Sequence, residues 1–228
     1  MIIAIHQPQY MPWIGYFHKM FCSDLFVLLD DVQFKKNEWQ HRNRIWNPNG
    51  IQWLSVPNCY KFPQKINQVE ISNLENWQKK HLHAIENSYK KAIYFSDYIA
   101  ELQAFYGQTW PTLNLANIDS VKLMARLLGI KTPIEISSEY SFAGTGTTRL
   151  VNICKHFGAA GYLAGAGGHD YMDMNLFESA EIKVTFQEFT CPVYPQFYAK
   201  TTQDFIPNLS VLDLLLNCGS KSLEILKG

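Results

Sequence analysis

Met1-Ile2-Ile3-Ala4-Ile5 runs straight into His6-Gln7-Pro8-Gln9-Tyr10-Met11-Pro12, and the join between these two pieces decides the fold. Five apolar residues closed by polar side chains read as a short buried strand. Pro8 and Pro12 forbid an immediate helix, so the polar residues form a loop at the strand's carboxyl end. Beyond it, Ile14, Phe17, Met20 and Phe21 recur at helical spacing, and Pro12 sits where a first-turn proline is tolerated. Leu25-Phe26-Val27-Leu28-Leu29 then ends in Asp30-Asp31, a second apolar run terminating in charge, as expected of a central parallel strand whose carboxyl end meets a site. The opening is β-loop-α-β.

Working outward, Arg42 to Trp46 and Ile51 to Val56 flank Asn47-Pro48-Asn49-Gly50, and Asn49-Gly50 is a strong turn pair, so a β-hairpin is expected near 43–56. Helical periodicity over 75–92, 97–107 and 112–128, broken by Gly107, Pro111 and Gly129, predicts a helical insertion or cover near 75–128. Strands at 134–136, 161–164 and 182–186 separated by a helix at 147–157 restore strand-helix alternation. Ser210 starts and Gly219 stops a closing apolar helix. The predicted class is α/β: a Rossmann-like, mostly parallel sheet with flanking helices, in a single domain spanning 1–228.

With 228 residues, 47% hydrophobic and 18% charged, the chain can bury a core, which excludes disorder. Lys+Arg 20 against Asp+Glu 20 leaves formal charge +0, so no bulk field would hold it on nucleic acid. No apolar run reaches the roughly 18 to 20 residues of a membrane span, and His6 and Pro8 interrupt the first run too early for a signal peptide. A cytoplasmic location without membrane insertion is expected. Five cysteines, an odd number without a C-x-x-C pair, disfavour a disulfide framework or a zinc knuckle. Aromatics at 14% exceed the needs of a core this size, so some should line a cleft for a flat or sugar-like ligand.

Four constellations are candidates for chemistry. His6, Gln7, Gln9, Tyr10 and Trp13 crowd between a strand end and a helix start, where open α/β sheets bind ligands. Asp30 and Asp31, followed by Lys35, Trp39, Arg42 and Asn43, bring carboxylates able to orient a histidine and cations able to neutralise phosphate. Because both segments leave adjacent strand ends, they are expected to share one pocket. Gly144-Thr145-Gly146-Thr147-Thr148-Arg149 puts hydroxyls and an arginine at a helix amino terminus. There Thr147 is an N-cap candidate. Arg149 needs a compensating anion, either a ligand phosphate or carboxylate or a buried acid from another segment. Gly165 to Gly168 leave a strand towards His169, Asp170 and Tyr171, and glycines let backbone amides approach a ligand. No Walker loop, H-E-x-x-H or nucleophile elbow is present, and His81 and His83 face different sides of a helix. No tightly bound metal is expected. Cys154 and Cys191 stay open as nucleophiles.

The run from Ile5-His6-Gln7-Pro8-Gln9-Tyr10 to Trp13-Ile14-Gly15-Tyr16-Phe17 resembles the WbqC-like family of bacterial proteins. So do Leu29-Asp30-Asp31-Val32-Gln33-Phe34, the Trp39-Gln40 and Arg42-Asn43 pairs, Thr148-Arg149-Leu150 and Tyr162-Leu163-Ala164-Gly165. The likeness covers nearly the whole chain. It implies a place in gene clusters for O-antigen and other surface polysaccharides. A looser likeness links the strand, proline loop and Trp13-Ile14-Gly15-Tyr16-Phe17-His18 to the HIGH-type nucleotidylyltransferases. The His-x-Gly-His and Lys-Met-Ser-Lys-Ser signatures are absent, so that likeness supports a nucleotide-type cleft and no more.

The expectation drawn from residues and resemblance together is an enzyme of surface-polysaccharide precursor synthesis. It would transfer an acyl or aminoacyl group to a nucleotide-linked amino sugar. His6 would act as general base oriented by Asp30 or Asp31. Lys35, Arg42 and Arg149 would hold the diphosphate while aromatics stack on base or pyranose. Gln7, Gln9, Tyr10, Trp13, Trp39, Asn43, Thr147, Thr148, Gly167, Gly168, His169 and Tyr171 complete the expected substrate contacts. The partners are the nucleotide sugar and its acyl or aminoacyl donor; no cofactor is specified, and an oligomer is compatible with the reading. The rival is a non-catalytic binding or scaffolding subunit of a glycan assembly complex.

Overall fold

The computed structural model describes all residues from Met1 to Gly228. β1 (Ile2–His6) leads through the proline loop into α1 (Ile14–Phe21), and β2 (Leu25–Leu28) returns parallel to β1 with Leu28 opposite His6. β3 (Arg42–Asn47) and β4 (Gly50–Ser55) form a separate antiparallel hairpin, and α2 (Trp77–Tyr89), α3 (Phe95–Tyr106) and α4 (Leu113–Leu128) follow it. Next come β5 (Ile134–Ile136), α5 (Gly146–His156), β6 (Gly161–Ala164), α6 (Met174–Glu178) and β7 (Lys183–Phe186), and the chain closes with α7 (Val211–Cys218) and α8 (Ser222–Lys227). The main sheet has the order β5-β2-β1-β6-β7 with every pairing parallel. Numbered along the chain, its strands stand third-second-first-fourth-fifth, the doubly wound arrangement of Rossmann-type sheets. The expected α/β class with its hairpin excursion is therefore what the chain forms.

A central parallel strand is covered on both faces, which is why β1, β2 and β6 carry almost no polar residues. Their side chains alternate between two hydrophobic clusters. Ile3, Ile5, Leu25, Val27, Tyr162 and Ala164 face Leu150, Val151, Ile153 and Cys154 of α5. Ala4, Phe26, Leu28 and Leu163 face a larger cluster that draws on α1, α4 and α7. All eight residues of α7 are buried. Its one carboxylate, Asp213, accepts hydrogen bonds from Tyr89 Oη and Gln196 Nε2, both at 2.8 Å.

Element boundaries follow their stop signals. Gly129 ends α4 in the left-handed conformation, φ 80°, and its N–H reaches back to the Ala125 carbonyl. Thr112 caps the same helix by accepting from the Leu115 amide. The hairpin turn falls one residue earlier than expected. Asn47 pairs with Gly50, so Pro48 and Asn49 are the linking residues and the positive φ (112°) belongs to Gly50 alone. Proline presets the first turn position, and that moves the glycine to the strand side. Helices α6 and α8, of five and six residues, lie outside the expected elements, because so few turns show no readable period. No helix is long and apolar enough to cross a membrane.

Candidate functional site

The strand order reverses between β1 and β6: the chain leaves β1 towards β2 and leaves β6 towards β7, so the two exits diverge and a crevice opens at their carboxyl ends. A cavity of about 310 Å³ lies there, lined by Ile5 and His6 from β1, Gln7 just beyond it, and Gly165, Gly167 and Gly168 from the exit of β6. Leu29, Leu150, Tyr162 and Tyr171 wall it, and Lys19 of α1 reaches it from beneath. The strand-end loop and the glycine turn, two separate candidates in the sequence, thus meet in one place. Lys19 is the member that sequence reasoning missed.

The His6 ring packs on Tyr16, centroids 4.6 Å apart, and its Nδ1 lies 3.1 Å from the Gln7 carbonyl. A carbonyl only accepts, so Nδ1 carries the hydrogen and Nε2 keeps its lone pair. Burial, and then the charge of Lys19, hold the imidazole from its usual 6.5 down to about 3, against the stabilising bond to Gln7. His6 is therefore neutral throughout the physiological range. Lys19 donates from Nζ to the Ile5 carbonyl at 2.9 Å, and burial lowers its amine from 10.5 to about 7. No carboxylate lines the cavity.

Neither aspartate orients His6, which corrects the expected dyad. Asp30 is fully buried and its carboxylate accepts from Ser137 Oγ, the Ser138 amide, Ser138 Oγ and Asn114 Nδ2, at 2.7 to 3.1 Å. Asp31 accepts from Ser137 Oγ at 2.6 Å and pairs with Arg149. Asp30 is held by the turn after β5 and by α4, and Asp31 by that turn and α5. Asp30 and Asp31 are not among the residues that line the cavity beside His6.

Arg149 also donates from Nη1 to the Phe142 carbonyl at 2.8 Å, so the anion it required comes from within the chain. Of the two sources expected for that anion, the buried acid from another segment is the one present. Both side chains of the Asp31–Arg149 pair are close to nine-tenths buried. Arg149→Ala removes the cation paired with Asp31 and should destabilise the fold by about 3 kcal/mol, with ligand affinity unchanged. Urea denaturation beside ligand titration checks this; a stable variant that binds weakly would return Arg149 to the ligand. Thr147 does not cap α5, because the cap position belongs to Thr145 and the Thr147 hydroxyl accepts from the Asp173 amide at 3.0 Å. Thr148 packs on Gly144.

Several expected contacts are consumed by architecture. Tyr10 is fully buried, with its hydroxyl 2.8 Å from His81 Nδ1 and 2.7 Å from Tyr106 Oη. Asn43 donates to the Met11 carbonyl at 2.7 Å and so holds a residue of positive φ (42°) in the proline loop. Trp13 lies edge-on to Phe189 and covers Gly15, where a β-carbon would strike its ring at 2.1 Å. Gln9 is buried with its Oε1 unpartnered. His169 stacks on Phe186.

The second constellation forms a surface instead of a wall. Arg42 stacks on Trp53 at 4.5 Å, Trp39 lies 5.6 Å from Trp53, and Arg44 covers Trp39 at 5.4 Å, while Trp53 stays 44% exposed. Gln40 ties this platform to the cleft: its Nε2 donates to Gln7 Oε1 at 2.7 Å and its Oε1 accepts from the Lys35 amide at 2.9 Å. Trp53, three positions before Val56 in a strand the sequence already suggested, was legible only as a strand residue.

Burial also lowers His41 and His81, each to about 4. With His18, which burial also lowers, four histidines have folded pKa values below 6.5, so the unfolded chain takes up protons first on acidification. The histidine contribution to stability is fully present above pH 6.5 and is lost as pH falls towards 4, and for His6 towards 3. Asp213, whose carboxyl burial raises, offsets part of this by holding its own proton in the fold. Near pH 5 the free energy of unfolding should fall on the order of 3 kcal/mol per pH unit. Urea midpoints flat between pH 7 and 5 would contradict it. Burial pushes the Cys154 thiol up to about 12 and raises Cys191, so neither is a ready nucleophile. No three His, Cys, Asp or Glu side chains are grouped to hold a metal ion.

A doubly wound parallel sheet with a cavity at its switch point, and an aromatic-cationic platform beside it, defines an α/β protein of Rossmann-like topology. The chain belongs to the WbqC-like protein family, whose model matches residues 7–225. It is 35% identical over 228 residues, 99% of its own length and 97% of the relative's, to a Mycobacterium tuberculosis (strain ATCC 25618 / H37Rv) protein described as "Uncharacterized protein Rv1507c". No solved structure matches it.

Proposed function

We propose that the protein is an acyl- or aminoacyltransferase of surface-polysaccharide (O-antigen) precursor synthesis, acting on a nucleotide-linked amino sugar. One observation carries the reading: a cavity at the switch point of a parallel sheet holds a neutral imidazole with a free acceptor nitrogen beside a buried amine, and no carboxylate. Amide formation needs a neutral amine delivered to an acyl carbon, and an uncharged nitrogen acceptor holds such an amine by its hydrogens without fixing it as an ammonium ion. In this reading His6 Nε2 accepts from the sugar amine and aims its lone pair. At about 310 Å³ the cavity suits a pyranose with a small acyl group, at the low end of small-molecule sites. The nucleotide then lies outside, with its base or diphosphate on Trp39, Trp53, Arg42 and Lys35, next to the cleft through the Gln40–Gln7 bond.

The test is a transfer assay read by mass spectrometry. UDP-glucosamine and related amino-sugar nucleotides are incubated with the protein and acyl thioester or aminoacyl donors, and small molecules carried through purification are identified in parallel. A sugar nucleotide heavier by one acyl group supports the reading. The absence of both product and carried nucleotide sugar would favour a non-catalytic subunit of a glycan assembly complex.

A further inference from the structure

Lys19 is 2% exposed although it stands on the first helix after the first strand, where a lysine ordinarily extends into water. Helical side chains lean towards the helix amino terminus, and α1 runs back along the sheet from the β1 loop. The stem of Lys19 therefore carries its amine up to the carboxyl end of β1, where Nζ meets the Ile5 carbonyl. A β-carbon on Gly165 would come within 3.9 Å of the same nitrogen, so the amine also lies against the glycine turn leaving β6. An ammonium has three hydrogens to place. Ile5 takes one, and no carboxylate stands within ion-pair distance.

Nothing in this arrangement suits a permanent cation, and everything in it suits an amine that gains and loses a proton. We propose that Lys19 Nζ is the proton acceptor of the β1/β6 cleft, taking the proton released when the amine of an amino-sugar ligand attacks an acyl donor. The assignment rests on the transferase reading. In the step, the neutral amine nitrogen forms a bond to the acyl carbon, the bond from that carbon to the donor's leaving group breaks, and the leaving group departs with the electron pair. The proton given up by the nitrogen passes to Nζ and later to water. The titratable groups facing Lys19 are His6 at the end of β1, Tyr162 of β6 and Tyr171 beyond it. Burial raises both phenols, which stay protonated, and His6 is held near 3 while Lys19 is held near 7. Of the two bases in the cleft, the amine is the one that keeps a proton at neutral pH. His6 is then the positioning group and Lys19 the sink.

Reductive methylation with formaldehyde and cyanoborohydride tests this on the whole protein without a substrate, because both reagents are small enough for the cavity and only the unprotonated amine reacts. Peptide mapping should show Lys19 modified at least tenfold faster than the exposed lysines at pH 7, with a rate that rises to a plateau and is half-maximal near pH 7. A Lys19 rate that follows the exposed lysines, or still rises above pH 9, overturns the assignment and leaves the transferase reading standing. Labelling as expected, in a protein that forms no acylated product from UDP-glucosamine and its relatives, overturns the step through its substrate instead. In the transfer assay, Lys19→Met should fold, lose more than tenfold in rate, and lose the inflection near pH 7. An unaltered pH profile in that variant counts against the proposal.

Discussion

Asp30→Ala should lower the stability of the fold by about 4 kcal/mol, the largest loss expected from any single change outside the hydrophobic clusters. The carboxylate is the common acceptor for Ser137, Ser138 and Asn114, so it joins the exit of β2 to the turn after β5 and to α4. No cation balances it; its charge is held by hydrogen bonds alone. Alanine strands the Ser138 amide, the Ser138 hydroxyl and the Asn114 amide in a site where the Asn114 carbonyl oxygen is already unpartnered. Each buried donor left without an acceptor costs about 1–3 kcal/mol, and a fold of this kind holds only about 5–15 kcal/mol in total. Asn at the same position keeps the shape and one acceptor and should cost less than half as much. Urea denaturation of the two variants decides the point, and a loss below 1 kcal/mol for Asp30→Ala would show that the network carries no weight.

The second large effect is on activity. His6→Ala should reduce acyl transfer by about 10²-fold, the loss expected when the attacking amine is misplaced by about 1 Å. Stability should fall by only about 1 kcal/mol, the packing of its ring on Tyr16. Removing the imidazole also removes one of the histidines that resist protonation, so the variant should lose stability less steeply on acidification than the parent. The combination is diagnostic: a purely structural His6 would cost stability and activity together, in proportion to the fraction unfolded.

What the sequence made legible depended on how far apart the interacting residues lie. The β1 strand, its proline loop and α1 are contiguous, and their periods and breakers settle their form. The polar strand end and the glycine turn after β6 could each be marked as candidates because ligand sites collect at strand ends, yet the cavity that unites them depends on the strand order. The aspartates were misread for the same reason. Asp31 meets Arg149 across 118 positions and Asp30 meets Ser138 across 108, so a doublet that locally resembles a catalytic pair turns out to be wired into two other elements. Lys19 escaped notice because it lies five positions after Ile14, on the flank of α1 away from Ile14, Phe17 and Phe21. A single-faced amphipathic helix would expose that flank, but α1 is buried nearly all round. A lysine on a helix closed off by a sheet carboxyl end is the signal that was available, and it requires knowing that the helix packs on both sides.

In the proposed reading the cleft between β1 and β6 holds the amino sugar while the Trp39–Trp53 platform holds the nucleotide. Isothermal titration with UDP-glucosamine, UDP and glucosamine, on the parent, His6→Ala and Trp53→Ala, tests it most directly. UDP-glucosamine should bind the parent with micromolar affinity. Trp53→Ala should weaken UDP and UDP-glucosamine alike, and His6→Ala should weaken UDP-glucosamine while leaving UDP unchanged. Nucleotide-sugar binding that neither substitution alters, or no binding by the parent, would contradict it.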